Sequence, residues 1–576
     1  MSELQASGKS RRGSLIALLF DNVISRHYTW RLLATSSILT LSSANFAFDN
    51  QGFSQTQAMK PFLKRFGEYS PSTNKYALTP QFLSFSNSFP LLLLCCGIVI
   101  GSTLSSMYGR RVTVMVMSIW GIICTPIIVT SQHRNQILAG RCLNSIYIGM
   151  EMSVIPIFQS EIVPKQVRGL AVASYQLSFA FGGLIMSGIC HRTSTINNDW
   201  AWRIPFLCFL FTPTIVATSI FFQPESPRWL VLKGKNDQAR QALIAFRRKG
   251  SDIEHELQQI IEAVRLEQLR NQETAALHAS GGGKKSKLAT IINEYVACFR
   301  SRTNLRRTLI VLAVNFFQQS TGQAVAGLYG PVVVQRLGVF SPFNFALILT
   351  GITGFTYLFN ITLNDKFGRR PFLLTSAAWQ AVSLFVIAGM GTVEKRSETQ
   401  NKVLLAFLFL FAIGYCIGWG PLSYVVSAET PSQALRDKTS RMGFVVAVIT
   451  QFAVVFSLPY LLYAPYANLE MKVCFIFAPI ATLATLWVYF CLPECKGLSL
   501  ESLDLLFEQR ISAPRSTAWG KAHKEQPISS TRDGHIVGEG EEVEISASSE
   551  SEKGQSDIKA DDPGMVELAM HRKEPL

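Results

Sequence analysis

Three charged turns occur twice in this chain of 576 residues. "YGRR" at 108–111 is answered by "FGRR" at 367–370. "SEIVPKQVRG" is answered by "AETPSQALRD", with seven residues from Glu161 to Arg168 and seven from Glu429 to Arg436. "PESPR" from Pro224 is answered by "PECKG" from Pro493. The offsets are 259, 268 and 269, and the order is the same in both halves. Acids and bases at fixed spacing could do proton-transfer chemistry, but no nucleophile–base pairing accompanies them. The eight His residues form no cluster with acidic neighbours at metal spacing. The 11 Cys lie mostly inside apolar runs without ligand spacing. The sequence therefore predicts no enzyme, no metal and no cofactor.

The elements that must position these turns are membrane helices. The chain is 48% hydrophobic and 16% charged, where soluble chains carry about a quarter charged residues. Runs of about 20 nearly uncharged residues recur, as in "LLLLCCGIVIGSTLSSMYG", and that length spans a bilayer as helix. Twelve spans are expected: 31–48, 82–107, 112–131, 136–162, 169–190 and 203–223, then 308–336, 343–365, 371–391, 402–427, 443–463 and 472–492. A duplicated six-helix unit is a transporter architecture with its substrate site between the halves. The expected divisions are an N-terminal segment (1–29), a first bundle (30–223), a helical insert (224–307), a second bundle (308–510) and a disordered tail (511–576). The net charge of +15 gathers at alternate loops on one side. This positive-inside bias places both termini and the insert in the cytoplasm and leaves no case for nucleic acid. The basic 50–80 loop is the exception. No cleavage-site pattern follows the polar first 29 residues, so no removable signal peptide is expected.

Several motifs together resemble the sugar-porter family of the major facilitator superfamily, over about residues 30–508. They are "PESPRWL" closing the sixth span, "PE-K-G-LSLE" after the twelfth and the two G-R-R turns. "AGR" opens the fourth span, "QQ-x-x-G" lies in the seventh, and E-x6-R follows spans four and ten. The insert and tail look most like fungal members. The resemblance implies an all-α integral membrane protein: a major facilitator fold of twelve helices in two six-helix bundles with a cytoplasmic helical insert. It also implies a cytoplasmic gate in which Arg110 and Arg369 meet Glu161 and Glu429, extended by Glu225, Arg228, Arg168, Arg436 and Glu494. Asp365 stands at the family's acidic position, but Ser106 and Met107 replace the acid and base in the first half, so a weaker N-terminal gate is expected.

By the same resemblance Asp49 and Arg141 form the proton-coupling pair. Gln176, Gln318, Gln319, Tyr329, Tyr424 and Gln451 fall at substrate positions. Ala324, Thr353, Tyr424, Gln451 and Val448 depart from the family's usual residues, which argues against assuming glucose; a polyol, a quinate-like acid, a disaccharide or a secondary metabolite would also fit. The implied function is secondary active transport of a sugar-like solute, with a proton as partner, in the plasma membrane and as a monomer. Export of a specialised metabolite and a non-transporting nutrient sensor are the alternatives.

Overall fold

A computed structural model describes residues 29–70, 74–164, 168–248, 250, 252–279, 295–393, 396–432, 435–496 and 500–523. The side chains of Arg168, Gln176 and Asp365 fall outside this description. The first half runs through α1 (Trp30–Thr56), α2 (Lys60–Phe66), α3 (Pro80–Tyr108), α4 (Arg110–Val129), α5 (Arg134–Ile162) and α6 (Arg168–Thr193). Its sixth span is α7 (Trp200–Leu207) and α8 (Phe211–Ile220), joined by a 3₁₀ turn. The insert carries α9 (Pro227–Leu232), α10 (Asn236–Phe246) and α11 (Ile253–Ala279). The second half holds α12 (Arg302–Ser320), α13 (Gln323–Gly327), α14 (Gly330–Leu337), α15 (Pro342–Phe367), α16 (Arg369–Gly391), α17 (Glu398–Ile417), α18 (Trp419–Glu429), α19 (Arg436–Leu462) and α20 (Cys474–Cys491). Two short helices follow, α21 (Leu500–Glu508) and α22 (Ser516–His523).

Seven described helical stretches are long and apolar enough by themselves to cross a membrane: spans 2, 3, 6 and 9 to 12. Spans 1, 4 and 7 miss that mark because they carry buried polar residues. Examples are Asn45 and Asp49, Arg141 and Glu151, and Asn315 and Gln318. Such residues are tolerated where helices face each other or a cavity rather than lipid.

Close packing in the first half depends on small residues. A Cβ added at Gly149 would lie 2.1 Å from the Leu94 carbonyl, and one at Gly97 would lie 2.3 Å from the Ile146 carbonyl. Gly97 and Gly101 form a small-x-x-x-small stripe that brings α3 and α5 into backbone contact. The seventh span breaks at Gly322, whose φ is +87°, and the tenth breaks at Gly418, where a Cβ would lie 2.5 Å from that of Ser376.

Three expectations need correction. The first span does not end at 48: helix continues to Thr56, because Asp49 is buried within the bundle and Asn50 and Gln51, partly buried, line an interior cavity instead of leaving it. The 50–80 loop is mostly structured, with α2 and a two-stranded hairpin, β1 (Glu68–Ser70) against β2 (Lys75–Ala77), the one departure from all-α among the described residues. Lastly, residues 511–523 are folded. Ser516 is buried and its hydroxyl accepts from the Glu494 N–H at 2.8 Å, and Ile511 and Trp519 pack on the second-half core. The insert's own core joins Trp229 and Leu230 to Leu243 and Leu257; residues 280–294 of the insert lie outside the described part.

The glycine contact yields a test. Gly149→Ala is expected to drive α3 and α5 apart and sharply reduce monodisperse protein in fluorescence-detected size exclusion. Gly188→Ala, which would meet nothing within 4 Å, should behave as the parent.

Candidate functional site: a buried ion pair, an amide-lined cavity and two capped gates

Asp49 lies on α1 and Arg141 on α5, each 6% exposed. Arg141 Nη2 donates to Asp49 Oδ2 at 3.0 Å, and Asn144 Nδ2 donates to Oδ1 at 3.2 Å. The guanidinium also donates to the Ser86 carbonyl and lies 3.5 Å from the centroid of the Phe53 ring. A charge so far from water persists only with such partners, and removing one partner of a buried pair costs about 3–5 kcal/mol. The ring face adds a cation–π contact.

Beside this pair is a cavity of ≈ 180 Å³ between the halves. Its polar lining comes from Asn50 and Gln51 on α1, Gln319 and Gln323 on the seventh span, Gln451 on α19 and Thr350, Thr353, Tyr357 and Tyr415. Side-chain amides offer a donor and an acceptor together, which matches a vicinal diol. Phe179 and Phe411 supply flat apolar walls. Gly183 keeps the cavity's flank open, since a Cβ there would press on Gln51 and Thr350 at 3.3–3.4 Å.

Of the expected substrate residues, Gln319 and Gln451 line this cavity and the Gln176 side chain is outside the described set. Gln318 does not line it. That side chain is buried against α18, with Nε2 directed at the Gly420 carbonyl at 3.4 Å, because consecutive helical residues face about 100° apart. Tyr329 is fully buried and donates to the Val455 carbonyl at 3.0 Å. Tyr424 lies off the cavity, half-exposed, with its ring 6.0 Å from that of Phe444. Sequence reasoning missed Asn50, Gln51, Tyr357 and Tyr415. Asn50 and Gln51 could have been found from their adjacency to Asp49, whereas Tyr415 reads as one more apolar residue of its span. Glu151, fully buried in mid-helix on α5, was missed as well; a carboxylate inside a predicted span was its signal.

The halves close on each other at the end away from the charged motifs. There Ser54 donates to the Leu328 carbonyl (2.7 Å), Gln335 to that of Ala58 (2.7 Å) and Ser84 to that of Phe456 (2.6 Å), while Gln81 donates to the Tyr466 hydroxyl (3.0 Å).

At the charged end Arg110 grips Glu161 with two bonds of 2.9 Å. Arg369 holds Glu429 at 3.2 and 3.0 Å. Each of these pairs joins two helices of one half, so neither has to break when the halves separate. Glu225 and Glu494 do something different from pairing with arginine side chains. Glu225 accepts from the backbone N–H of Arg110 (2.9 Å) and Arg111 (3.1 Å), and Glu494 accepts from those of Arg369 and Arg370 (3.0 Å each). Each carboxylate thus caps the first turn of the third or ninth span, where free N–H groups and the helix dipole favour an anion. The cap needs glycine before it. Gly109 (φ +104°) and Gly368 (φ +99°) adopt backbone that side-chain-bearing residues avoid, and a Cβ at either would lie 2.4 or 2.6 Å from the capping oxygen. This is the physical content of the paired G-R-R and P-E motifs. Burial pushes the Glu225 carboxyl above its ordinary range, against the pull of the Ser226, Arg111 and Arg110 N–H groups.

The expected weakness of the first-half gate does not appear in its central pair. Arg110 and Glu161 are 12% and 7% exposed, against 15% and 30% for Arg369 and Glu429. The reason is Ser226 of the P-E-S-P turn, whose hydroxyl also donates to Glu161. Position 106 contributes through its backbone carbonyl, which accepts from Trp229 Nε1 at 3.1 Å. Arg436 makes no ion pair among the described residues, since Arg369 occupies Glu429 instead, and its Nε and Nη2 are buried without partners. Arg228 is exposed. A pair that was not foreseen, Arg307 with Asp504, ties α12 to α21, with the guanidinium 4.5 Å from the Phe507 ring centroid.

Two helical bundles enclosing a polar cleft, with matched charged turns at one end, define a membrane transporter of the major facilitator fold. The chain belongs to the Sugar (and other) transporter family, whose profile matches residues 35–507. It is similar to hexose transporter 2 of Kluyveromyces lactis (28% identity, 84% of this chain and 85% of that one). It is also similar to the major facilitator-type transporter ecdD of Aspergillus rugulosus (27%; 85% and 90%). A third relative is the high glucose sensor RGT2 of Saccharomyces cerevisiae (27%), of which the match covers 57% and which it overlaps over 78% of this chain. Among solved structures, the inward-open xylose transporter XylE of E. coli superposes with a TM-score of 0.62 at 19% identity, over 82% of this chain and 99% of that one. The chain is thus a multi-pass sugar-transporter-family protein and not an enzyme.

The caps give a second test. Glu225→Ala and Glu494→Ala should each lower stability by about 1–2 kcal/mol, read as a lower thermal midpoint of the purified protein. The two losses should add, because the caps sit in different halves and share no partner.

Proposed function

We propose that the protein is a proton symporter of a single-ring, polyhydroxylated solute, working by alternating access. The observation that carries this reading is the desolvated Asp49–Arg141 pair beside the amide-lined cavity. When substrate binding or bundle movement draws Arg141 away, Asp49 regains a proton, and the neutral form crosses with the solute. The cavity supports a small substrate. At ≈ 180 Å³ it is below the ~300–1,000 Å³ typical of drug-sized ligands, which favours a hexose, pentose, cyclitol or quinate-like ring over a disaccharide.

The relatives named as hexose transporters and the xylose transporter fold support the same class of substrate. The charged motifs, insert and termini face the cytoplasm in this reading, so the closed end is the extracellular one and the cleft is poised to release inward. We place the protein in the plasma membrane as a monomer, with Gln319, Gln323, Gln451, Asn50 and Gln51 as hydroxyl ligands. Gln176 joins them as a fifth-span candidate, while Gln318, Tyr329 and Tyr424 hold the helices around them. A sensor role draws support from the similarity to the protein named a high glucose sensor. Uptake in a transport-deficient cell separates the two readings, since a sensor binds sugar without flux.

The decisive experiment is a labelled uptake panel of hexoses, pentoses, polyols and cyclic acids at two pH values. Accumulation should rise as external pH falls. Asp49→Asn should abolish accumulation against a gradient yet retain exchange of labelled for unlabelled solute; accumulation that survives the change refutes the coupling. Gln319→Ala should raise KM about 3- to 10-fold, the loss of one hydrogen bond. Gln318→Ala should leave KM nearly unchanged and instead lower the thermal midpoint.

A further inference from the structure

The seam between the first, fourth and fifth spans contains polar atoms that the fold leaves unanswered. Glu151 stands ten residues from Arg141 and ten from Glu161 on α5, so about 15 Å from either along the axis. It is fully buried. Its Oε2 accepts from the Tyr175 hydroxyl at 3.1 Å, while Oε1 has no partner. Towards Asp49, one helical turn along α1, lies Asn45, also fully buried, with both amide atoms unpaired; Asn144 Oδ1 is unpaired too. Tyr147 and Ser42 bond each other between them at 3.2 Å. Towards the charged end, Gln159 donates to Thr40 Oγ1 at 2.7 Å and leaves its Oε1 unpaired. Buried polar atoms are nearly always partnered. Five unpartnered ones along one seam make a row of sites for bridging water, each water needing two to four such groups.

The surroundings of Glu151 are otherwise neutral. Span 1 brings Ser42 to this seam, bonded to Tyr147 of the same helix as Glu151, and span 5 brings Tyr175. The titratable neighbours are Tyr147 on its own helix and Tyr175 from span 5, with Tyr424 of span 10 in electrostatic reach of Tyr175. The short helix α9 meets α5 only near Glu161, through Ser226. Among the described residues no cation pairs with Glu151. A lone carboxylate there is costly unless it takes up a proton or is hydrated.

We propose that Glu151 is a proton relay, carrying the proton released by Asp49 to the charged end of the bundle. This rests on the proton-symport reading. When Arg141 returns to Asp49, the Asp49 O–H bond breaks and a proton passes along the hydrated seam, by Asn45 and Tyr147, to the Glu151 carboxylate, where a new O–H bond forms. Glu151 then yields that proton to water past Gln159 and Thr40 and is a carboxylate again. Nothing is oxidised or reduced. Among the described residues neither Glu151 nor its partner Tyr175 lines the cavity, so its role is in the proton's path and not in solute recognition.

The test needs no transported solute. Purified protein in lipid nanodiscs is taken through an upward pH jump and followed by time-resolved infrared difference spectroscopy, with Asp49→Asn and Glu151→Gln assigning the two carboxyl bands. Both bands are expected to titrate. In Glu151→Gln, which keeps an acceptor for Tyr175, loss of the Asp49 proton should slow by about 100-fold, and Glu151→Asp should largely restore it. An Asp49 band that decays at the parent rate in Glu151→Gln overturns the relay and leaves symport standing. An Asp49 band that never titrates in the parent overturns both.

Discussion

The bilayer offers no water to a charge, so every ionised group inside this protein must find its partner within the protein. Asp49 and Arg141 are the case on which the rest depends. Their pair joins the first span to the fourth, and Asn144, the Ser86 carbonyl and the Phe53 ring fix both ends of it. The pair holds because these partners replace water. Packing serves this geometry: glycines bring the second and fourth spans into backbone contact and so hold Arg141 at the depth of Asp49.

The same rule shapes the charged end. There the exposed N–H groups of the third and ninth spans would be left unsatisfied at the edge of the membrane. Glu225 and Glu494 answer them from the turn that ends each half, and the glycine before each helix gives the carboxylate room. Because the caps and the Arg110–Glu161 and Arg369–Glu429 pairs stay within a half, each bundle is a preassembled body. The hydrogen bonds of Ser54, Gln335, Ser84 and Gln81 that join the bundles lie at the opposite end.

The spans that fall short by hydropathy include the first, fourth and seventh, which hold the ion pair, Glu151 and the glutamines of the seventh span. The candidate functional residues are concentrated in the helices least suited to lipid. They are stable because their polar faces meet one another, which spares those groups the cost of burial without partners.

The sequence by itself determined twelve helices, their duplication, the paired turns and the acid–base residues at 49 and 141. Hydropathy over about 20 residues and fixed motif spacing are local properties, and they survive in one dimension. Tertiary structure alone decided which amide faces the cavity, since Gln318 and Gln319 are neighbours in sequence but point to different partners. It decided that Glu225 caps backbone where arginine pairing was expected, and that Ser226 makes the first-half gate the more buried one. It also folded residues 511–523 against Glu494, a contact with no periodic signal. These outcomes depend on which faces of distant helices meet, and helix rotation and approach are set by packing between segments hundreds of residues apart.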